Sequence, residues 1–262
     1  MSTNVEFAIQ MHDKVTANVL KNSLSELSGV DNVSIYPESG TLVIKSSLPI
    51  SVLQEKIEET GQRAVIKGFG DSVQAAVAIV GGECGFAQGK LQGVVRFIQA
   101  DDNTCIVDGT IDGLSPGLHG LHVHEFGDIS EGCDKVGQHF SLVNASHGAP
   151  SCDTSHRHTG DLGNIQVNED GRSQFRFSDS VLKVWDVIGR TIVVTENADD
   201  LGKGNNPQSL IDGNSGKRLG CGIIARSAGL FENTKKICAC DGVSLWDERN
   251  KPLAGPGRQT HL

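Results

Sequence analysis

Cys238 and Cys240 stand one residue apart near the C-terminus, separated by Ala239. In an extended segment residues i and i+2 point to the same side. Two sulfurs facing one way suit a soft ion such as Cu(I). They equally suit thiol–disulfide exchange, in which one sulfur attacks a partner and its neighbour resolves the mixed disulfide. Two cysteines with no shared role fit the spacing as well. A second cluster lies mid-chain. Six of the nine histidines fall in one stretch, His122, His124, His139, His147, His156 and His158, and Asp161 closes it. His122 and His124 alternate in a strand-like segment and present both imidazoles to one side. His139, His147, His158 and Asp161 lie on one loop and offer three imidazoles and a carboxylate, the donor set of a tetrahedral zinc site.

The rest of the chain must position these groups. Its 262 residues suffice for one large domain or two small ones. Few aromatics and 32 glycines point to turns and short strands rather than long helices. The net charge of −9 excludes the basic footprint of a nucleic-acid binder. No apolar run approaches the ~20 residues of a membrane span, and residues 1–6 lack the pattern of a signal peptide. These features predict a cytoplasmic protein. Seven cysteines are an odd number, and in a reducing compartment they are expected to be reduced, metal-bound or exchanging.

Residues 1–70 read as a small α+β unit. Val5, Phe7, Ile9 and Met11 alternate as in a strand. Val15, Val19, Leu20, Leu24 and Leu27 recur at helical spacing. A hairpin is predicted around Pro37-Glu38-Ser39-Gly40. Ser51 is expected to cap a second helix carrying Leu53 and Ile57, and Ala64-Val65-Ile66 supplies a last strand. The order βαββαβ is that of a ferredoxin-like domain. Residues 71–229 change to short β-prone runs with frequent glycine, which predicts an antiparallel sandwich or barrel. Long polar loops interrupt it at 125–164 and 196–217. Residues 230–262 are expected to hold little regular structure.

Gly120-Leu121-His122-Val123-His124-Glu125-Phe126-Gly127-Asp128 resembles the copper-ligand strand of copper/zinc superoxide dismutases. Gly137-Gln138-His139-Phe140, His147-Gly148-Ala149-Pro150 and His158-Thr159-Gly160-Asp161-Leu162-Gly163-Asn164 resemble that family's zinc loop. Ala198-Asp199-Asp200-Leu201-Gly202-Lys203-Gly204 resembles its electrostatic loop. The resemblance implies a Greek-key β-barrel with zinc on His139, His147, His158 and Asp161. It implies a disulfide between Cys133 and Cys221, and it places Arg218 as the substrate-guiding arginine. Asp199 would bridge the metal-site histidines from behind. The family's copper site takes four histidines. His122, His124 and His139 align with three, and Thr195 stands at the fourth. A hydroxyl is a poor copper ligand beside imidazole. Weak copper binding and little or no dismutase activity are therefore expected, with zinc acting structurally. His156 has no counterpart among the ligands.

A barrel of this kind followed by Cys-X-Cys is similar to the copper chaperones for superoxide dismutase. Ile237-Cys238-Ala239-Cys240-Asp241-Gly242 and the preceding Gly222 to Phe231 resemble that family's C-terminal region. The resemblance implies a multidomain chain: a ferredoxin-like metal-binding-type domain (1–70), a dismutase-like barrel (71–229) and a short, mostly irregular transfer segment (230–262). It implies Cu(I) as transferred cargo on Cys238 and Cys240, and an immature dismutase as heterodimeric partner through the barrel, with a homodimer as the alternative resting state. One departure stands out. Where that family has Met-X-Cys-X-X-Cys, this chain has Met11-His12-Asp13-Lys14-Val15-Thr16. Asp13 and Thr16 are hard ligands that hold Cu(I) poorly, so metal binding is not expected of the first domain. Two other classes stay open: a dismutase-type enzyme with accessory domains, and a noncatalytic zinc-binding interaction protein. Cys105, in an apolar run, is expected in the core. Cys84 and Cys152 match no motif.

Overall fold

The computed structural model describes residues 1–10, 14–70, 74–82 and 90–233. These form two compact units. The first contains Met1–Ala75 together with the stretch from Ser227 to Asn233, and the second is Ala76–Arg226.

In the first unit the order is β1 (Thr3–Ile9), α1 (Lys14–Ser25), β2 (Val30–Tyr36), β3 (Thr41–Ser46), α2 (Ile50–Glu59) and β4 (Ala64–Phe69). The four strands form one antiparallel sheet in the order β2-β3-β1-β4. This is the ferredoxin-like arrangement that the alternation and helix spacing predict. Pro37–Ser39 form a 3-10 turn, and Gly40 closes the hairpin at φ +62°, a conformation open to glycine at little cost. Two local readings differ. Helix α1 buries Ala17, Leu20 and Leu24 and leaves Val15 and Val19 exposed. Helix α2 starts at Ile50 behind Pro49, with no side-chain cap, so Ser51 lies inside its first turn.

The second unit is an eight-stranded sheet that curls into a near-closed Greek-key barrel. Its strands are β5 (Ala75–Gly81), β6 (Gln92–Asp101), β7 (Thr104–Asp112), β8 (Gly117–His124), β9 (Asp161–Val167), β10 (Arg172–Asp179), β11 (Thr191–Thr195) and β12 (Arg218–Arg226). They hydrogen-bond in the order β10-β7-β6-β5-β12-β11-β8-β9. The end strands β9 and β10 are consecutive in the chain, and Ser173 Oγ donates to Gln166 O at 2.7 Å between them. Short helices α3 (Val184–Val187) and α4 (Ser209–Asp212) lie in the connections. Inward side chains including Val95, Phe97, Val107, Leu121, Val123, Ile165 and Val194 build one apolar core. Arg157 is buried and pairs with Asp179 at 2.8 Å. No helix among the described residues is long and apolar enough to cross a membrane.

The loop from β8 to β9 is tied down at several points. Cys133 and Cys221 form a disulfide across 88 residues of sequence. It sits in a small apolar cluster with Val136 and Val193. Arg218 donates to Cys133 O (2.8 Å), Asp134 O (3.1 Å) and Gly137 O (2.7 Å). A cross-link stabilises largely by restricting the unfolded chain. Cys133→Ser is therefore expected to lower the unfolding free energy by about 3 kcal/mol. Denaturant midpoints under oxidising conditions check this; a midpoint equal to the parent's would count against it.

Candidate metal centre

Strand β8 delivers His122 and His124 on the side opposite Leu121 and Val123, which enter the core. The loop beyond it carries His139, which forms an isolated bridge to His124. It then carries His147, and His158 just before β9 opens with Asp161. The carboxylate of Asp161 is the focus. His139 Nδ1 donates to its Oδ1 at 2.8 Å. His147 Nδ1 lies 3.0 Å from the same oxygen, without the alignment of a hydrogen bond. His158 Nδ1 lies 3.2 Å from Oδ2. Backbone N–H groups of His158 and Gly148 also donate to Oδ2, at 2.7 and 3.2 Å. Three imidazole nitrogens thus point at one carboxylate. His122 joins the same cluster: ligand atoms of His122, His139, His147 and Asp161 lie within 4.8 Å of one another. The His122 and His139 rings stack at 4.0 Å.

Asp199 stands behind this group. It accepts from His122 Nε2 at 3.0 Å and from His147 Nε2 at 2.7 Å, the bridge that the family resemblance implies. Its backbone is clamped by Asn164 through two reciprocal bonds, at 2.7 and 2.8 Å. Gly213, at φ +68°, leaves room beside it, since a Cβ there would strike the Asp199 carboxylate. These fixed partners set which ring nitrogen of His122 and His147 faces inward.

Among the described residues, three buried imidazole nitrogens lack a hydrogen-bond partner: His122 Nδ1, His124 Nε2 and His147 Nδ1. Orphaned buried polar atoms are costly unless an ion or water satisfies them. All three belong to the histidine cluster, so the residues present fit a bound metal. The donor set of three imidazoles and one carboxylate at Asp161 fits zinc. Thr195, at the end of β11, is buried, and its Oγ1 donates to Gly120 O at 3.2 Å. No imidazole stands there.

Charge follows the geometry. Burial, then neighbouring His122, pushes the His139 imidazole down to about 3. Burial also holds His124 well below the usual histidine range, helped by His139 and Arg218. Burial alone would lower His147, but the Asp161 and Asp199 carboxylates outweigh it and carry it up to about 9. Burial would raise Asp161, and its histidine contacts hold it far below the usual carboxylate range. Asp199 is held low in the same way, by His122 and His147. In the metal-free protein at neutral pH, His147 therefore carries a proton between two carboxylates, and a metal must displace it. Zinc binding near neutral pH is expected to release about one proton. Apparent zinc affinity should rise with pH until about 9, where His147 loses its proton unaided. Calorimetry in buffers of different ionisation enthalpy measures the release; affinity that stays flat with pH would contradict it.

Of the residues singled out from sequence, the structure gathers His122, His124, His139, His147, His158, Asp161 and Asp199. Arg218 is at the loop's edge, and Cys133 and Cys221 are joined. His156 is exposed and pairs with Asp153 at 2.8 Å. Cys105 is buried. Cys238, Cys240, Cys84, Met11, His12 and Asp13 lie outside the described residues. Sequence reasoning missed His119. It is buried, contacts Thr195 O through Nδ1 at 2.8 Å and Ser115 O through Nε2 at 2.9 Å, and so pins the backbone at Thr195. It also missed the Asn164 clamp.

Comparison with known proteins agrees with this architecture. Residues 91–224 match the copper/zinc superoxide dismutase family, and residues 6–63 match the heavy-metal-associated domain. The class is thus a metal-handling protein that joins a heavy-metal-associated domain to a dismutase-type barrel. The solved structure of the clock protein EA4 is 37% identical, with a TM-score of 0.54 over 60% of this chain and 98% of its own. A protein of Sus scrofa named copper chaperone for superoxide dismutase is 50% identical over 97% of this chain and 92% of its own length. Its namesake in Homo sapiens is 49% identical over the same shares. The chain belongs to the family of copper chaperones for superoxide dismutase.

Proposed function

We propose that this chain binds Cu(I) on Cys238 and Cys240, docks through its barrel onto a copper/zinc superoxide dismutase lacking copper, and releases the ion into the target's histidine site. The observation that carries the reading is Thr195. The barrel keeps the zinc-type cluster, the Asp199 bridge and three copper-type imidazoles, yet a hydroxyl replaces the fourth. A body that does not hold copper tightly is suited to recognition rather than turnover, and the tail supplies soft donors for the cargo. The name that the Sus scrofa and Homo sapiens relatives carry supports the dismutase as target.

His139, His147, His158 and Asp161 would hold zinc, whose bond energy orders the loop. Exposed apolar side chains support barrel-to-barrel docking. Phe126 is 57%, Ile188 42%, Ile223 38% and Ile79 37% exposed. They are brought near one another: Gly127 packs on Gly189, and Thr191, which pairs with Ile223, donates to Phe126 O at 2.7 Å. In such a heterodimer this face replaces one half of the dismutase pair; a homodimer through it is the resting alternative. Thiol exchange follows delivery. Once Cu(I) has left, a two-electron acceptor such as dioxygen oxidises the freed Cys238–Cys240 thiols to a disulfide, and this pair accepts two electrons and two protons from the target's two thiols, leaving the target disulfide formed and the carrier thiols reduced. We place this work in the reducing cytoplasm, where free thiolates persist.

The test mixes the copper-loaded chain with a zinc-loaded, copper-free dismutase. Activity is expected to appear in the target as copper leaves the chain, and the chain alone is expected to consume little or no superoxide. Turnover by the chain itself, with the target left inactive, would favour the enzyme reading. No copper transfer at all would leave a zinc-binding interaction protein.

A further inference from the structure

Glu6 lies on β1 and is 1% exposed. A buried carboxylate is costly unless it is paired and hydrogen-bonded. Lys67 on β4 supplies the charge, with Nζ 3.1 Å from Oε1. The backbone N–H of Phe231 supplies the hydrogen bond, donating to Oε2 at 2.6 Å. Other contacts hold the same stretch of chain. The Phe231 ring meets Tyr36 edge to face, with centroids 6.3 Å apart. Gly68 is bare where Gly229 passes, and a Cβ there would collide with Gly229 O. Ser227 N donates to Ala75 O at 2.8 Å. Gly229 N donates to Glu232 Oε2 at 2.9 Å and tightens the turn. Phe231 itself adopts φ +60°. A bulky residue takes that conformation only where surrounding contacts fix it.

We propose that Glu6, Lys67, Tyr36 and Gly68 form a clasp on the first domain that anchors residues 227–232, the root of the Cys238-Ala239-Cys240 segment, and that Glu6 is a positioning residue for copper transfer. The proposal rests on the reading that these thiols carry the cargo. It gives the first domain a task that needs no metal ligand of its own. Cys238 lies seven residues beyond Phe231 and twelve beyond Arg226. The clasp therefore confines the thiols to within about 25 Å of Phe231, where a tail free from Arg226 would range over about 40 Å. A shorter tether raises the effective concentration of the thiols at a docked partner.

Two variants break the clasp from opposite sides. Phe231→Pro removes the donor N–H and forbids the positive φ. Glu6→Gln removes the charge that pairs with Lys67. In the full copper-loaded chain, both are expected to keep the parental copper stoichiometry. Both should also keep the parental half-saturating concentration of copper-free dismutase. The first-order transfer step should fall about tenfold, and amide exchange should quicken at residues 227–232. The double variant should be no slower than the slower single one, because both break one interaction. Parental transfer rates in both singles would overturn the clasp. So would a double loss equal to the product of the single losses, or a change confined to the half-saturating concentration. Copper delivery by a chain lacking both tail cysteines would instead overturn the reading of the thiols.

Discussion

Replacing Cys238 and Cys240 together by alanine is expected to abolish activation of copper-free dismutase by the full chain. Cu(I) needs soft donors, and the chain offers few elsewhere. Residues 1–70 contain no cysteine, and Asp13 and Thr16 offer only hard oxygen donors. Cys105 is buried, and burial followed by nearby Asp179 pushes its thiol up to about 12, so it supplies no thiolate. Cys152 is a half-buried single thiol. Cys133 and Cys221 are spent on each other. Loss of the pair removes both the carrier and the tethering advantage, so transfer should fall by on the order of a hundredfold or more. Zinc content and thermal unfolding of the barrel should not move, because the changes lie outside it. Activation assays with zinc and copper counts on the same samples decide the matter. Near-parental activation by the double variant would refute the assignment of the cargo site.

Thr195→His is expected to turn the barrel into a copper-retaining, superoxide-consuming protein. Position 195 adjoins the His122 ring: a Cβ built on Gly120 would lie 2.6 Å from Thr195 Oγ1 and 2.7 Å from His122 Cε1, so both side chains close over that glycine and the larger ring must be accommodated by a shift of its neighbours. His119 already fixes the Thr195 carbonyl, and β12 pairs with the strand through Thr195 and Arg218. An imidazole at this position would join His122, His124 and His139, each of which contributes an orphaned or stacked ring. Copper affinity should rise by roughly tens to a hundredfold, with turnover appearing only in the variant. Retention after chelation and a superoxide assay measure the two effects. A variant that loses its copper as readily as the parent would show that more than one ligand separates this barrel from an enzyme.

The metal centre was legible because its residue types and spacing are unusual in themselves: histidines dense along one strand and one loop leave few other readings. Asp199, Arg218 and the Cys133–Cys221 pair were legible only through family resemblance, since carboxylates, arginines and distant cysteines carry no local signature. His119 was missed because a single histidine beside a strand start resembles a surface residue; only the fold brings it to Thr195, 76 positions away. The face of α1 was misjudged because Val15 and Val19 outweigh Ala17 in any hydrophobic count, whereas the fold buries Ala17 with Leu20 and Leu24 and leaves both valines exposed. Ser51 has the chemistry of a helix cap, but Pro49 begins the turn ahead of it. The Glu6–Phe231 bond joins residues 225 apart, and nothing local announces it.

Phe126 sits two residues past His124, and its N–H is held by Val136 O at 2.8 Å, while Glu125 N is held by Gln138 O at 3.0 Å, next to His139. Under the proposed docking mode one ribbon serves as both ion cage and handshake. The expected result of zinc starvation is then a slack ribbon, with copper traffic stalled at the greeting between proteins while the sulfurs proposed to carry it are still loaded.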